Sequence, residues 1–556
     1  PAAEAVKGTI VENATLNPDV TIRNCRFRDI PHVRLSGRGK YLVENNLFVR
    51  CNEAVCAMDL ADYWYESGRL SEMTIRENTV IESGGFRVGI AGWNGDEPDV
   101  PKVHGKVVMK DNRFFKPRWQ VSVTGAETAE ISGPPETRIY RTTFAQDFRE
   151  VYNADWSKLS TGPGAQIIDL DGAKATHRFR GLGGSFAECS GFLFARMPEA
   201  KRAQLMEMLF GKTGLRLSTG RIHCASSDYS MHIYSYDDVD GDTELKRFSI
   251  DDDRRYVLPM IKAAQKMNPD IFFFSSPWSA PWWMKRNRAV SVGHLRDDMY
   301  GIYADYIVKF LQAYAEEGVD IKAHSPQNEP GLGDGPDVNA MNSPTMIMSP
   351  EEEAKLILAL KPRFDRAGLA TKIWMFDHSY CDTNHVDKAL AVPGVREAVG
   401  GIAWHSYGGD PEAVARYRRE FPELENIHTE QGPSVDRSAR DFLYWGERML
   451  RGFNAGLSGY TNWLLLTDEN GQPNTSCGHP CAGLVALHSE TGELIQSNQY
   501  QAFRHVSPYV MPGAEVLEAP PVNSVPGVLA ATRIKDTETS AFRNPDGSHV
   551  VVINHR

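Results

Sequence analysis

The sequence predicts a multidomain chain: an all-β solenoid, then an α/β barrel of the (β/α)8 type, with an attached β-sandwich. Three observations predict it. A short asparagine-bearing template recurs within residues 1–135. Strand and helix signals alternate across residues 179–508, which is the pattern of a parallel barrel. Short strand signals occupy 136–178, a linker segment, and 509–556. At 556 residues the chain exceeds one ordinary domain, and its 41% hydrophobic and 24% charged residues are globular in proportion.

The balance of charge narrows the partners. A net charge of −11 supplies no basic stripe for nucleic acid. No run of about 18 apolar residues offers a membrane span. No cofactor is expected, and the oligomeric state is not legible. No signal peptide is visible, and the chain starts at Pro1-Ala2-Ala3; a secreted or periplasmic protein, processed or truncated, is expected. Eight cysteines are too few for a disulfide framework in a chain of this length. Cys477 and Cys481 could staple one loop; a metal site there would need more ligands, and no metal is expected.

The solenoid rests on four segments: Ile22 to Phe27, Val43 to Phe48, Ile75 to Val80 and Met109 to Phe114. Each starts apolar, places Cys25, Asn46, Asn78 or Asn112 three residues on, and returns to an apolar residue two later. The spacings of 21, 32 and 34 residues are those of a repeat whose unit is mostly strand. Stacked Asn side chains would form a hydrogen-bonded ladder while Val, Ile and Phe fill the interior. The pattern resembles a right-handed parallel β-helix of the kind found in polysaccharide lyases and β-helical glycosidases. Four rungs beginning abruptly predict that earlier rungs are missing. The acidic loop with Asp59, Asp62 and Glu66 could carry a second site, although a solvated acidic loop is the simpler expectation.

In the barrel, strands are expected at 179–186, 214–222, 271–276, 321–325, 372–377, 401–405, 426–430 and 458–465. Helices are expected at 198–209, 253–267, 299–317, 350–367, 411–420 and 438–455. In such a barrel the active site lies at the C-terminal strand ends. Two carboxylates fall there: Glu329, in Gln327-Asn328-Glu329-Pro330 after the fourth strand, and Glu430, in Thr429-Glu430-Gln431, closing the seventh. One protonated and one ionised carboxyl group facing one sugar are what retaining glycosidic hydrolysis needs. After residue 512, strands are expected at 515–517, 528–534 and 549–554. The last ends the chain unpaired, which predicts truncation there as well.

Further motifs fall in barrel order: Gly181-Leu182-Gly183-Gly184-Ser185-Phe186, Ser227-Asp228-Tyr229-Ser230, Ser276-Pro277-Trp278-Ser279, Trp404-His405-Ser406-Tyr407 and Asn462-Trp463. With the two Glu segments they resemble glycoside hydrolase family 30, the glucosylceramidase-like family, over roughly residues 165–556. The resemblance implies Glu329 as general acid/base and Glu430 as nucleophile. It implies Asn328 on the sugar 2-hydroxyl, Asp228 and Trp278 at the far hydroxyls, and Trp463 as subsite floor. Asn474 would border that floor, and His405 and Tyr407 would orient or flank Glu430. Asp377 is expected equally as a support for the acid or as an ordinary cap. The implied substrate is a β-linked glycoside, oligosaccharide or polysaccharide, with glucose the first choice. The alternatives are xylose, fucose or galactose specificity within the family, or a carbohydrate-binding protein without catalysis.

Overall fold

A computed structural model describes residues 19–35, 39–59, 70–90, 104–132, 139–151, 167–331, 343–432, 435, 439–474, 480–518, 521–522 and 537–555, apart from single or paired positions within these stretches. The chain divides into two units, residues 1–167 and 168–556.

The first unit is built of three parallel sheets to which each repeat contributes one strand. Val20–Arg23, Lys40–Glu44, Glu72–Arg76, His104–Lys110 and Ala126–Ser132 form one. Arg26–Arg28, Leu47–Val49, Thr79–Ile81 and Arg113–Phe115 form the second. His32–Arg34, Glu53–Asp59, Gly84–Ile90 and Trp119–Val123 form the third. The register puts Ile22, Val43, Ile75 and Met109 side by side, and likewise Phe27, Phe48, Val80 and Phe114. These residues make the unit's own apolar core.

Between the first two sheets the chain turns at the template asparagine. The preceding residue is left-handed each time: Asn24, Asn45, Glu77 and Asp111 have φ of 57°, 54°, 59° and 57°. Such a conformation costs a non-glycine residue about 1 kcal/mol. Hydrogen bonds from the next residue offset it. Asn78 Oδ1 accepts from the Asn46 backbone N–H at 2.9 Å and from Asn46 Nδ2 at 3.0 Å. Asn112 Oδ1 accepts from the Asn78 N–H and Nδ2, both at 3.0 Å. The Cys25 N–H ends the ladder on Asn46 Oδ1 at 2.9 Å. The acidic loop residues Asp62 and Glu66 lie outside the described residues.

In the second unit eight parallel strands follow one another: Gly181–Ser185, Thr219–Cys224, Phe272–Pro277, Ile321–His324, Lys372–Ser379, Gly401–His405, Glu425–Glu430 and Gly459–Asp468. The first pairs with both the second and the eighth. The seventh meets the eighth through a bridge of Asn426 with Leu457 and a bond from the Ser458 N–H to the Asn426 carbonyl at 2.7 Å. That closes the barrel. Glycines in the first strand permit the close approach: a Cβ on Gly183 would lie 2.2 Å from the Thr219 carbonyl oxygen.

The long helices match their expected positions. Pro350–Arg366 starts with a full capping box, Ser349 with Glu352, and Pro at the first position. Glu188–Arg196, Thr383–Leu390, Val395–Ala398 and Asn498–Arg504 are helices that periodicity did not separate from loop.

The barrel interior is layered. Phe274, Ala323, Trp374, Ala403 and Ile427, from strands three to seven, pack as one apolar cluster. Two residues further along, the inward positions become Ser276, Ser325, His405 and Thr429. Strand five would place Phe376 there. A bulge between Phe376 and His378, with φ of 77° at Phe376 and 57° at Asp377, substitutes Asp377. The polar layer and the chemistry lie on this level.

Beside the barrel, Ala175–Arg178, Glu515–Leu517, Thr537–Arg543 and His549–His555 form an antiparallel sheet. Among the described residues of the 136–178 segment, Ala175–Arg178 joins it, and Ile167–Ile168 pairs with Pro521–Val522 in a separate two-stranded sheet. Ile139–Thr143 and Gln146–Val151 make a separate hairpin within the first unit. The strand expected at 528–534 lies outside the described residues.

Candidate active site

Glu329 and Glu430 both stand at the C-terminal mouth of the barrel, brought together by strands four and seven. His405, the last residue of strand six, touches both. Its Nδ1 is 3.0 Å from Glu329 Oε1 and its Nε2 is 3.8 Å from Glu430 Oε2. Its stronger partners are Glu329 and Asp377, whose Oδ1 lies 3.1 Å from Nε2. His405 thus lies beside Glu430 while its hydrogen bonds go to Glu329 and Asp377.

Arg221, fully buried on strand two, is the hub of the site. Its guanidinium donates to Glu430, to Asp377 Oδ2 at 2.8 Å, to Asn328 Oδ1 at 2.8 Å and to Ser276 Oγ at 2.7 Å. It also lies 4.9 Å from the ring centre of Trp278 and 5.7 Å from that of Trp463. Tyr407 donates its hydroxyl to Glu430 Oε1 at 2.8 Å and accepts from the Gly432 N–H. Glu430 thus receives two donors, and Glu329 meets imidazoles. Glu329 is left-handed, with φ of 48°, and its N–H is held by the Asp377 carbonyl at 3.0 Å.

The electrostatics follow from these contacts. Burial alone would raise the Asp377 carboxyl, but Arg221 and the hydrogen bonds of His405 and Thr429 hold it well below the usual range. Burial opposes charge on His405, yet Glu430, Asp377 and Glu329 push its pKa up to about 9. Glu329 is also opposed by burial and is drawn down by His378 and His405. Burial lifts the Glu430 carboxyl, partly offset by His405 and Arg221.

The aromatic residues form one wall. Trp278 and Trp463 sit with ring centres 5.3 Å apart, and Tyr229 meets Trp463 edge-on. His223 packs on both, 4.3 Å from Trp278 and 5.0 Å from Trp463. Gln327 ties this wall to the acid segment: its Nε2 donates to the Trp278 carbonyl at 2.7 Å and the Asn328 carbonyl at 2.9 Å. His324, fully buried, pairs with Ser275 at 2.9 Å and has a structural role. Trp283 and Trp404 are core residues. Asp228 lies beyond the end of strand two, Thr219–Cys224, between Ser227 and Tyr229. Asn474 stands on the loop after strand eight, its N–H on Gln472 Oε1 at 3.1 Å. Cys477 lies outside the described residues, so the loop staple is not described.

Arg221, His378 and His223 were not singled out from the sequence. A signal existed for two of them: Arg221 and His223 are polar at alternate positions of an otherwise apolar strand, so both face inward. Asp377 gains its place from the bulge, which has no sequence signature here.

A closed parallel barrel with paired carboxyl groups at its mouth and an aromatic wall beside them defines a glycoside hydrolase. The chain belongs to glycosyl hydrolase family 30: the model of that family's TIM-barrel domain matches residues 179–510. An endo-1,6-beta-D-glucanase of Neurospora crassa is 30% identical, over 68% of this chain and 78% of its own. A putative glucosylceramidase 2 of Caenorhabditis elegans is 28% identical, over 77% and 83%. The crystal structure of SrfJ from Salmonella typhimurium superposes with a TM-score of 0.67 at 26% identity, covering 75% of this chain and 91% of that one.

Proposed function

We propose that the barrel is a retaining β-glycosidase acting on β-linked glucosides, including β-1,6-glucan. Glu430 is the nucleophile and Glu329 the acid/base. The observation that carries the assignment is the unequal set of partners. Glu430 accepts from a guanidinium and a phenol, which aim its carboxylate and offset part of the cost of burying its charge. Glu329 abuts His405, with which it can exchange a proton. Glu430 would attack the anomeric carbon while Glu329 protonates the leaving oxygen; Glu329 would then draw a proton from water to release the sugar.

Asn328 gives its Oδ1 to Arg221, so its Nδ2 is the group left for the sugar 2-hydroxyl. Trp463 and Trp278 offer the sugar a wall of rings, and Asp228 and Asn474 stand on the loops that would meet its outer hydroxyls. The names of the glucanase and glucosylceramidase relatives support glucose. The three parallel sheets of the first unit are read as a right-handed parallel β-helix, and the lateral sheet as one layer of a β-sandwich. A secreted or periplasmic setting suits a polysaccharide substrate.

The test is hydrolysis of an aryl β-glucoside and of β-1,6-glucan, followed by proton NMR of the first product. Retention of the β-anomer and loss of turnover by about a thousandfold or more in Glu430→Gln are expected. An α-anomer as first product would overturn the assignment.

A further inference from the structure

We propose that Glu329, His378 and His405 form a binding site for a divalent transition ion of the zinc class, and that its occupation silences the enzyme. Among the described residues these three are the one group of His, Cys, Asp and Glu side chains with a metal ligand's spacing. One ligand atom from each of Glu329, His378 and His405 lies within 4.8 Å of the other two. Glu329 Oε1 is 3.0 Å from His405 Nδ1 and 3.6 Å from His378 Nδ1. Metal–ligand bonds of about 2.0–2.1 Å in a tetrahedron separate ligand atoms by roughly 3.3 Å. The site thus needs little rearrangement.

Two further features suit an ion. The far nitrogen of His405 is held by Asp377 at 3.1 Å, the carboxylate support that fixes a ligating imidazole, and this turns Nδ1 toward Glu329. The side chains of Glu329 and His378 are 13% and 17% exposed, so the ion and its remaining water ligands have an approach. The donor set of two imidazoles and a carboxylate favours zinc, copper or nickel over magnesium or calcium. Coordination would occupy the Glu329 oxygen nearest His405. This silencing rests on the acid role proposed for Glu329; the binding itself does not.

Calorimetric titration of Zn2+ and spectroscopic titration of Co2+ into the full chain test it. A Cys381→Ser background removes an exposed thiol from the readout. One ion per chain is expected. In His378→Ala, and in His378→Asn as a variant that preserves side-chain size, affinity should fall at least about tenfold, with the circular dichroism spectrum unchanged. The same titration with an aryl β-glucoside present should show inhibition tracking occupancy. Equal affinity in both His378 variants, or no stoichiometric binding by the parent chain, would overturn the proposal. Binding as expected in a chain without glucosidase activity would uphold the site and refute the acid role instead.

Discussion

Arg221 sets the chemistry of its neighbours because its buried guanidinium meets two carboxylates, Glu430 and Asp377. Its charge is compensated only in place. Arg221→Met should leave both carboxylates facing each other without it. The expected loss is about 3–5 kcal/mol of stability, the penalty for an orphaned buried charge. Urea unfolding measures it, and Arg221→Lys, which keeps charge but not the planar fork, should recover only part. Asp253 holds a comparable balance, of protons rather than charges. It accepts from the hydroxyls of Tyr234, Tyr236 and Tyr314 at 2.6, 2.5 and 2.5 Å. Burial outweighs those bonds and raises it to about 6, against about 3.9 in the unfolded chain. Between those values the folded state holds more protons, so this group's contribution is full below about pH 3.9 and lost as pH rises through 6. It amounts to about 3 kcal/mol. Unfolding of Asp253→Asn between pH 4 and 6 should be less pH-dependent than that of the parent.

At the scale of elements the two halves obey different rules. The first unit is held by a periodic polar spine as well as by its apolar core. Asn78 sits in the middle of it, with Nδ2 donating to the Val43 carbonyl at 2.9 Å and Oδ1 serving Asn46. Asn78→Ala should cost about 1–3 kcal/mol, because buried groups lose partners that water cannot replace. The melting temperature of the first unit is the measurement. That spine was legible in advance, since a repeated Asn at a turn has few other uses. The barrel strands were legible for a related reason: their ends carry motifs, and their interiors are apolar runs bounded by turn residues. The short helices were not, because four to nine residues give too few turns for periodicity to register. The inward turn of Asp377 was hidden too. It depends on a one-residue bulge against strand six, a property of pairing rather than of local sequence.

For the whole molecule, the two units carry separate apolar cores. Calorimetry should therefore show two transitions. An iminosugar bound at 100 times its Kd should stabilise the barrel by about 2.7 kcal/mol and leave the first unit's transition in place. Joint movement of both would refute independent folding. The buried guanidinium has one more consequence. Removing the Glu430 side chain to its Cα, in Glu430→Gly, would leave Arg221 and the Tyr407 hydroxyl lining a hollow of carboxylate size. The loss of that carboxylate would turn the mouth of the barrel into a receptor for small anions, with formate the nearest in shape and charge to what was taken away.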